Sequence, residues 1–259
     1  MKLELNEVYE TDCFVFIEAL KDQSVDLVIA DPPYNLHKAD WDSFKSEEDF
    51  FSFTFKWIDA IIPKIKTTGS LFIFNTPYNS AYILQHLVQR EMVFRNWITW
   101  DKRDGLGAAK TKFSNGQETI LFFTKSKKNV FNYDAVRVPY ESSERIKAAE
   151  KKGILKNGKR WFPNALGKYC GEVWHDSSVR HTNKVNGKIV KQSHLTPKPK
   201  SIIERIILAS TNPGDIVVDF FVGSGTTAIA AKKLGRQFIC GDSNPDYINL
   251  VRAALNDQT

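Results

Sequence analysis

The 259-residue sequence predicts an α/β fold in which a mostly parallel sheet is covered by helices on both faces. Short apolar runs recur along the chain, as in strands that are buried on both faces. Segments with helical periodicity separate these runs, and a glycine-rich turn follows one of them. Strands that alternate with helices are typical of a parallel sheet, because each crossover helix packs back onto the sheet.

Six of the apolar runs are predicted strands. Four lie in the first half of the chain and two lie near its end. In order they are VDLVIA at 25–30, SLFIFN at 70–75, NWITW at 96–100, ETILFFTK at 118–125, DIVVDFF at 215–221 and RQFICGD at 236–242.

Four segments between these strands are predicted helices, each with a recognisable start or stop signal. The segments are SEEDFFSFTFKWIDAIIPKI at 46–65, NSAYILQHLVQREM at 79–92, KSIIERIILAS at 200–210 and TTAIAAKKLG at 226–235. In the same order, their signals are an acidic first turn, an asparagine cap, a preceding proline and a terminal glycine.

Composition narrows the functional classes. The net charge is +6, but residues 141–200 hold 14 Lys and Arg against five Asp and Glu, so the rest of the chain is mildly acidic. Such a basic stripe is typical of a surface that binds a polyanion. Three scattered cysteines indicate a reducing compartment, with neither a disulfide framework nor a metal site. With no long apolar run and no signal peptide, the predicted location is cytoplasmic.

Residues 129–193 interrupt the alternation of strands and helices. They carry NGK turn signals at 157–159 and 186–188, with aromatic residues among the basic ones. We interpret this stretch as an inserted module. The predicted division is therefore 1–128 and 194–259 for two halves of one α/β domain, with 129–193 as the insert.

The stretch DFFVGSGTTAIAAKKLG predicts a strand, a glycine turn and a helix capped by Thr226 or Thr227. Gly223 and Gly225 fit the G-x-G-x-x-G/A fingerprint, and Asp242 ends the next predicted strand at the spacing of a ribose-binding acid. This pattern predicts a cofactor that contains a nucleoside.

The position of this loop in the chain helps to identify the cofactor. Only 17 residues follow Asp242, so the other strands must come from residues 1–128 and the chain is permuted relative to an ordinary NAD domain. S-adenosylmethionine fits better than NAD, since its ammonium can bind Asp219 and its adenosine can lie toward Asp242. A pyrophosphate beside Asp219 would be repelled.

The stretch LVIADPPYNL at 27–36 ends an apolar run at an aspartate followed by two prolines and a tyrosine. An exocyclic amine on a nucleobase is a poor nucleophile, because its lone pair is delocalised into the ring. The Asp31 carboxylate and a carbonyl held rigid by Pro32 and Pro33 could accept its N–H groups and direct the lone pair at a methyl group. The Tyr34 ring could hold a base flipped out of a duplex.

These motifs resemble the β-group of DNA amino-methyltransferases. DPPY, HLTPKP at 194–199 and FVGSGTT at 221–227 occur in the order of that family, and the similarity covers nearly the whole chain. Three further segments are similar to the MboII-type adenine enzymes: ADWDSF, NWITWDKRDG and ILKNGKRWFPN.

The resemblance implies a Rossmann-like methyltransferase fold, S-adenosylmethionine as cofactor and double-stranded DNA as substrate. It places Asp12, Cys13 and Phe14 at the adenine of the cofactor, and His194, Thr196 and Lys198 at its methionine end. The remaining residues implied for cofactor binding are Asp31, Asp219, Phe221, Gly223, Ser224, Gly225, Thr226, Thr227 and Asp242. The sequence departs from the family at Phe220, where proline is usual, and loss of that proline is expected to loosen the turn.

The predicted function is site-specific adenine-N6 methylation of DNA within a restriction and modification system, at an asymmetric site similar to GAAGA. The insert would be the target-recognition region, with Lys151 and Lys152 on phosphates and Arg160 and Trp161 on bases. The resemblance leaves open a homodimer and a cognate restriction endonuclease.

Three alternatives remain at this point. The first is cytosine-N4 methylation, whose enzymes are similar but usually carry serine at the position of Asp31. The second is methylation of RNA instead of DNA. The third is an inactive subunit that binds the cofactor and DNA and would need none of this chemistry. Cytosine-C5 methylation is excluded, because it requires a cysteine nucleophile that typically follows proline and no cysteine here does so.

Overall fold

The fold is built around a central sheet of eight strands. The computed structural model describes residues 1–102, 110–177, 182–185, 188–191 and 197–257. The strands are β1 (Glu7–Glu10), β2 (Val25–Ala30), β3 (Ile65–Asn75), β4 (Val93–Asp101), β5 (Gln117–Thr124), β6 (Ile154–Lys156), β7 (Lys159–Trp161), β8 (Val173–His175), β9 (Thr182–Val185), β10 (Lys188–Lys191), β11 (Ile216–Asp219) and β12 (Gln237–Asp242). The α-helices are α1 (Cys13–Ala19), α2 (Glu47–Ile61), α3 (Pro77–Gln89), α4 (Ser143–Lys152), α5 (Lys200–Ser210), α6 (Thr226–Lys233) and α7 (Pro245–Asn256).

The strand order in this sheet is β1-β12-β11-β2-β3-β5-β4-β8. β5 runs antiparallel to both of its neighbours, and the other pairings in the sheet are parallel. The predicted mostly parallel sheet is therefore confirmed. The contact between β11 and β2 joins the two predicted halves of the domain.

The sheet separates two hydrophobic cores. Leu27 and Ile29 of β2 belong to the core that includes α5, α6 and α7. Val28 and Ala30, the alternate residues of the same strand, belong to the core that includes α1, α2 and α3. Because successive side chains of a strand point to opposite faces, a strand covered on both sides is apolar throughout. This explains the run VDLVIA, in which every residue is buried and the one charged residue, Asp26, is paired with Lys66.

Several predicted helix boundaries are wrong, including the end of α3, which lies at Gln89 rather than at residue 92. α2 ends at Ile61 rather than at residue 65, because a 3₁₀ turn over Ile62–Lys64 follows and Ile65 already begins β3. α3 starts earlier than predicted, at Pro77, and its cap is Thr76 rather than an asparagine. Thr76 accepts a hydrogen bond from the backbone N–H of Asn79 at 3.2 Å, and proline suits the first helical position because it has no N–H to satisfy.

The predicted threonine cap of α6 is also wrong. Gly225 caps that helix, in the left-handed conformation at φ 81°, and Thr226 is the first helical residue. A Cβ atom at Gly225 would lie 2.6 Å from the Val251 side chain, so both backbone conformation and space require glycine here.

Two strands of the sheet were not predicted. β1 has only four residues and lies at one edge, and β8 has three residues and lies at the other. β8 comes from the predicted insert, and its Trp174 is buried in the first core. Residues within 129–193 thus contribute to the main sheet.

The rest of the insert holds two short hairpins, β6 with β7 and β9 with β10. Asn157 and Gly158 connect β6 to β7 with positive φ angles, as the NGK signal predicted. The second NGK signal includes residues 186 and 187, which lie outside the described residues. Within the described part of the chain, no helix is both long and apolar enough to cross a membrane.

Candidate active site

The two predicted halves of the site meet where the strand order changes direction. Asp219 is the last residue of β11, and Asp31 directly follows β2, its parallel neighbour. From β11 the chain continues to β12 on one side, whereas from β2 it continues to β3 on the other. Ligands of open α/β sheets bind in the crevice that such a switch point creates.

A cavity of about 700 Å³ opens at this edge of the sheet, a size that suits a small-molecule ligand. Its walls combine residues from both ends of the chain. Among those lining it are Asp12, Cys13, Asp31, Pro32, Pro33, Tyr34, Leu36, Lys38, Trp41, Asp42, Phe53, Glu118, Lys198, Phe220, Phe221, Gly223, Asp242 and Tyr247. The DPPY segment and seven of the predicted cofactor residues therefore share one space.

Asp31 is at the centre of a buried polar cluster. The Tyr34 hydroxyl donates to its Oδ1 at 2.8 Å, and the Lys198 ammonium lies 2.8 Å from its Oδ2. Lys198 was predicted to lie at the methionine end of the cofactor, and its Nζ is bound to Asp31. The ammonium also lies 5.2 Å from the centre of the Tyr34 ring.

A second carboxylate, Glu118 on β5, completes the cluster and was not predicted. Its Oε2 lies 3.2 Å from the Tyr34 hydroxyl oxygen and 3.5 Å from Lys198 Nζ. Its Oε1 is bound to the ammonium of Lys102. The negative charges of two carboxylates and the positive charges of two ammonium groups thus compensate one another in a mostly buried site.

The ionisation of these groups reflects burial and mutual charge. Burial raises the pKa of Asp31, the positive charge of Lys198 opposes that effect, and the negative charge of Glu118 adds to it. Burial alone would lower the pKa of Lys198, but Asp31 and Glu118 hold it above the ordinary value. Although burial acts to raise the pKa of Glu118, Lys198 and Lys102 keep it below the ordinary value. Lys198 is therefore an ammonium at neutral pH.

The loop that follows DPPY is held by Asp42, which is 2 % exposed. Its Oδ1 accepts from the backbone N–H groups of Tyr34 and Asn35 at 2.6 and 2.9 Å, and its Oδ2 accepts from those of Leu36 and Lys38 at 3.0 and 3.4 Å. One carboxylate thus fixes the backbone on which Tyr34 stands, because buried N–H groups require acceptors.

The glycine loop is fastened to the end of β12. Asp242 Oδ2 accepts from the backbone N–H of Gly223 at 3.0 Å, and its Oδ1 accepts from that of Asn244 at 3.0 Å. Burial raises the pKa of Asp242, while these backbone groups oppose the rise. Asp242 faces the cavity, at the place predicted for the ribose.

Asp219 is buried, with 3 % of its surface exposed. It accepts from the backbone N–H of Phe221 at 3.0 Å, and in the described part of the chain it forms no salt bridge. Burial raises its pKa to about 7, against the opposing hydrogen bonds from Thr227 and Phe221. A smaller cavity that shares residues with the first is lined by Asp219, Ser224, Thr226 and Thr227. A buried carboxylate without a cation fits the ammonium group of S-adenosylmethionine.

The predicted adenine contacts lie on α1. Asp12 caps that helix, its Oδ1 accepting from the N–H of Phe14 at 2.8 Å, and Asp12 and Cys13 line the cavity. Burial and the neighbouring Asp12 raise the pKa of Cys13 to about 12, so it is a neutral thiol. Phe14 instead packs edge-on against Phe53, which lines the cavity.

Phe220, which replaces the usual proline, is a core residue. It is 2 % exposed and its ring packs against Trp57 and Phe16, with centroids 5.5 and 6.3 Å away. The turn is therefore supported by aromatic packing, whereas a proline would act by restricting the backbone.

The residues predicted to bind DNA lie away from the polar cluster in sequence and are exposed. Lys151 and Lys152 form the last turn of α4. Trp161, on β7, is 43 % exposed and packs edge-on against Tyr140. The Arg160 guanidinium donates to the carbonyl of Lys152 and so ties the hairpin to the end of α4. Arg160 thus adjoins the basic end of that helix.

Two expected cofactor residues, His194 and Thr196, lie outside the described residues. Among the described residues, no group of His, Cys, Asp and Glu could hold a metal ion.

The fold and this cavity together define a class, the Rossmann-like methyltransferases. A family model described as DNA methylase (N6_N4_Mtase) matches residues 25–253. The chain is 62% identical over 254 residues to the Type II methyltransferase M1.MboII of Moraxella bovis, with 98% of each chain covered. It is 35% identical over 272 residues to M.BglII of Bacillus subtilis, with 99% of this chain and 71% of that protein covered.

The solved structure of the M1.HpyAVI–SAM complex superposes with a TM-score of 0.60 and 27% identity, covering 96% of this chain and 98% of that one. The PvuII cytosine-N4-specific methyltransferase has a TM-score of 0.72 at 17% identity, covering 97% and 86%, and supports the fold. This chain belongs to the DNA methylase family of Type II methyltransferases. The predicted fold class and the resemblance to MboII-type enzymes are both confirmed.

Proposed function

We propose that this DNA methyltransferase modifies the exocyclic N6 of adenine at one specific DNA sequence, as part of a restriction and modification system. The observation that carries the proposal is the shared cavity, in which Asp31, Pro32, Pro33 and Tyr34 face the same space as Asp12 and Asp242. An acceptor for an amine and a site for a nucleoside cofactor are thereby brought together.

S-adenosylmethionine is the cofactor, and its sulfonium supplies the methyl group. Asp219 would hold the ammonium of its amino-acid end, and Asp242 the ribose, with Asp12 and Cys13 beside the adenine. Phe221, Gly223, Ser224, Gly225, Thr226 and Thr227 surround the same end of the sheet, in and around the glycine turn. The first turn of α6 offers backbone N–H groups for the cofactor carboxylate.

The chemistry of the transfer rests on Asp31. Its carboxylate and the carbonyl after Pro32 would accept the N–H groups of the target amine and orient its lone pair toward the methyl carbon. As the carbon–nitrogen bond forms and the carbon–sulfur bond breaks, one N–H proton is released. The raised pKa of Asp31 suits it to take that proton.

Adenine is favoured over cytosine because position 31 is an aspartate, where cytosine-N4 enzymes usually have serine. DNA would bind the cationic surface of the insert, with Lys151 and Lys152 on phosphates and with Arg160 and Trp161 near base edges. The proposed target is an asymmetric site similar to GAAGA. A cognate endonuclease, a homodimer and a cytoplasmic location complete the proposal.

The test is incubation of the protein with labelled S-adenosylmethionine and double-stranded oligonucleotides, followed by nucleoside analysis. We expect N6-methyladenine in a duplex that contains GAAGA and none in duplexes with single-base changes. Detection of N4-methylcytosine would mean that cytosine is the target. Methylation of an RNA duplex, and of no DNA duplex, would mean that RNA is the substrate. Absence of product with every duplex would indicate an inactive cofactor-binding subunit.

A further inference from the structure

Both oxygens of the Asp31 carboxylate already have donors. The Tyr34 hydroxyl lies on Oδ1 and the Lys198 ammonium on Oδ2, each at 2.8 Å. A carboxylate that is paired with an ammonium is a weaker acceptor for an amine than a free carboxylate, because the cation stabilises its negative charge. Methyl transfer as proposed above should therefore be faster when these donors have another partner.

Glu118 can be that partner, because the same two donors lie within its reach. Its Oε2 is 3.2 Å from the Tyr34 hydroxyl and 3.5 Å from Lys198 Nζ. Both donors are thus located between two carboxylates, closer to Asp31 than to Glu118. A small displacement of the Lys198 ammonium would reverse that preference.

Lys102 makes such a displacement electrostatically feasible. Its ammonium binds Oε1 of Glu118, so that two carboxylates face two ammonium groups within one cluster. Moving Lys198 from Asp31 to Glu118 creates no additional buried charge. The charge released on Asp31 would be compensated by the N–H groups of the arriving amine.

We propose that Glu118 is a positioning residue for methyl transfer, which takes over the Lys198 ammonium and the Tyr34 hydroxyl when the target amine reaches Asp31. This inference rests on the proposed function, since it assumes that Asp31 receives the amine. Glu118 itself touches neither the amine nor the methyl group.

The test is the isosteric variant Glu118→Gln, which keeps the shape of the side chain and removes its charge. Lys198 then remains bound to Asp31, and the single-turnover rate of methyl transfer should fall at least about ten-fold. Affinity for S-adenosylmethionine, measured by calorimetry, should stay within about two-fold of the parent. The matched control is Glu204→Gln, which breaks an exposed 2.7 Å ion pair with Lys233 and should change neither quantity.

The pH dependence of the rate separates positioning from a merely structural role. The groups that face Asp31 are Lys198, Tyr34, Glu118 and Asp219, and Lys102 acts through Glu118. The negative charge of Glu118 raises the pKa of Asp31, so Glu118→Gln should shift the acidic limb of the pH–rate profile to lower pH. A structural defect would lower the rate at every pH and leave the limb in place.

Lys102→Gln gives a second test that does not depend on the first variant folding. Without Lys102 the charge of Glu118 is less neutralised, which should move the acidic limb to higher pH. A shift in the same direction as that of Glu118→Gln, or an unchanged rate and limb in Glu118→Gln, would overturn the inference.

The variant Asp31→Asn separates this inference from the proposed function. If Asp31→Asn is inactive while Glu118→Gln turns over at the parent rate, the role of Glu118 alone fails. If Asp31→Asn retains the parent rate, the proposed function of Asp31 fails, and the inference fails with it.

Discussion

The loop at residues 31–42 and the predicted insert at 129–193 differ in how they hold the residues that are proposed to act in each. In the loop, Asp31 and Asp42 are largely buried, and each accepts from several donors. In the insert, Lys151, Lys152 and Trp161 lie exposed, on the end of a helix and on a three-residue strand.

This difference reflects the two functions proposed for these segments, orientation of the target amine and binding of DNA phosphates. A group that orients an amine must be held by its neighbours, since small displacements of a reacting atom cost large factors in rate. A cation that binds a phosphate must be accessible, and its contribution to affinity is screened by salt. We therefore expect changes in the loop to affect rate or cofactor affinity, and changes in the insert to affect DNA affinity in a salt-dependent manner.

The largest expected effect is that of Asp31→Ala. Methyl transfer should fall by at least a factor of about 10² to 10⁴, the range for a positioned acid–base group, because the amine loses its acceptor. Calorimetry on the same preparation should find cofactor binding largely intact. Turnover within a few-fold of the parent would contradict the catalytic assignment.

Asp219→Ala should instead weaken cofactor binding, by on the order of 1 to 3 kcal/mol, and leave DNA binding nearly unchanged. The pKa of Asp219 is about 7 and a bound ammonium requires the ionised form, so cofactor affinity of the parent should rise between pH 6 and pH 8. Asp219→Asn should lose this pH dependence. Binding of NADH without binding of S-adenosylmethionine would overturn the assignment of the cofactor.

A smaller effect on the rate of methyl transfer than that of Asp31→Ala is expected for Asp42→Asn. One carboxylate oxygen becomes an NH₂ group that faces backbone N–H donors, which leaves up to two of them unsatisfied at a cost of about 1 to 3 kcal/mol each. The rate of methyl transfer and the melting temperature should both fall. Asp22→Asn, at an exposed aspartate that does not line the cavity, is the control and should change neither quantity.

The smallest effect on rate is expected in the insert. Lys151→Ala combined with Lys152→Ala should lower affinity for any DNA and flatten the slope of log affinity against log salt by about one unit per lost phosphate contact. The methylated sequence should stay the same. Lys2→Ala, which removes an exposed cation paired with Glu4, is the control. If the double variant methylated a different sequence, these lysines would contribute to sequence recognition and not only to phosphate contacts.

The central strands were predictable from sequence because burial on both faces leaves a mostly apolar run, as in β2. The edge strands β1 and β8 were missed, since four and three residues carry too little pattern. The cap at Thr76 was missed because an asparagine three residues later gave a competing signal.

The candidate site divides in a similar way. Asp31, Asp219 and Asp242 could be found because each directly follows or ends an apolar strand beside a turn motif. Glu118 was missed, although it is a carboxylate at the start of the apolar run ETILFFTK. Its proximity to Lys198 depends on the pairing of β5 with β3, which residue patterns alone do not give. The role of Asp42 likewise depends on how the loop folds back.

β1 and β12 lie side by side although they come from opposite ends of the chain. During synthesis, β1 emerges from the ribosome early, but its parallel partner appears only with residues 237–242. Asp12, just after β1, and Asp242, at the end of β12, both line the cavity, so a shorter nascent chain lacks part of its wall. The wall of the cavity is therefore complete only once residues 237–242 have been synthesised.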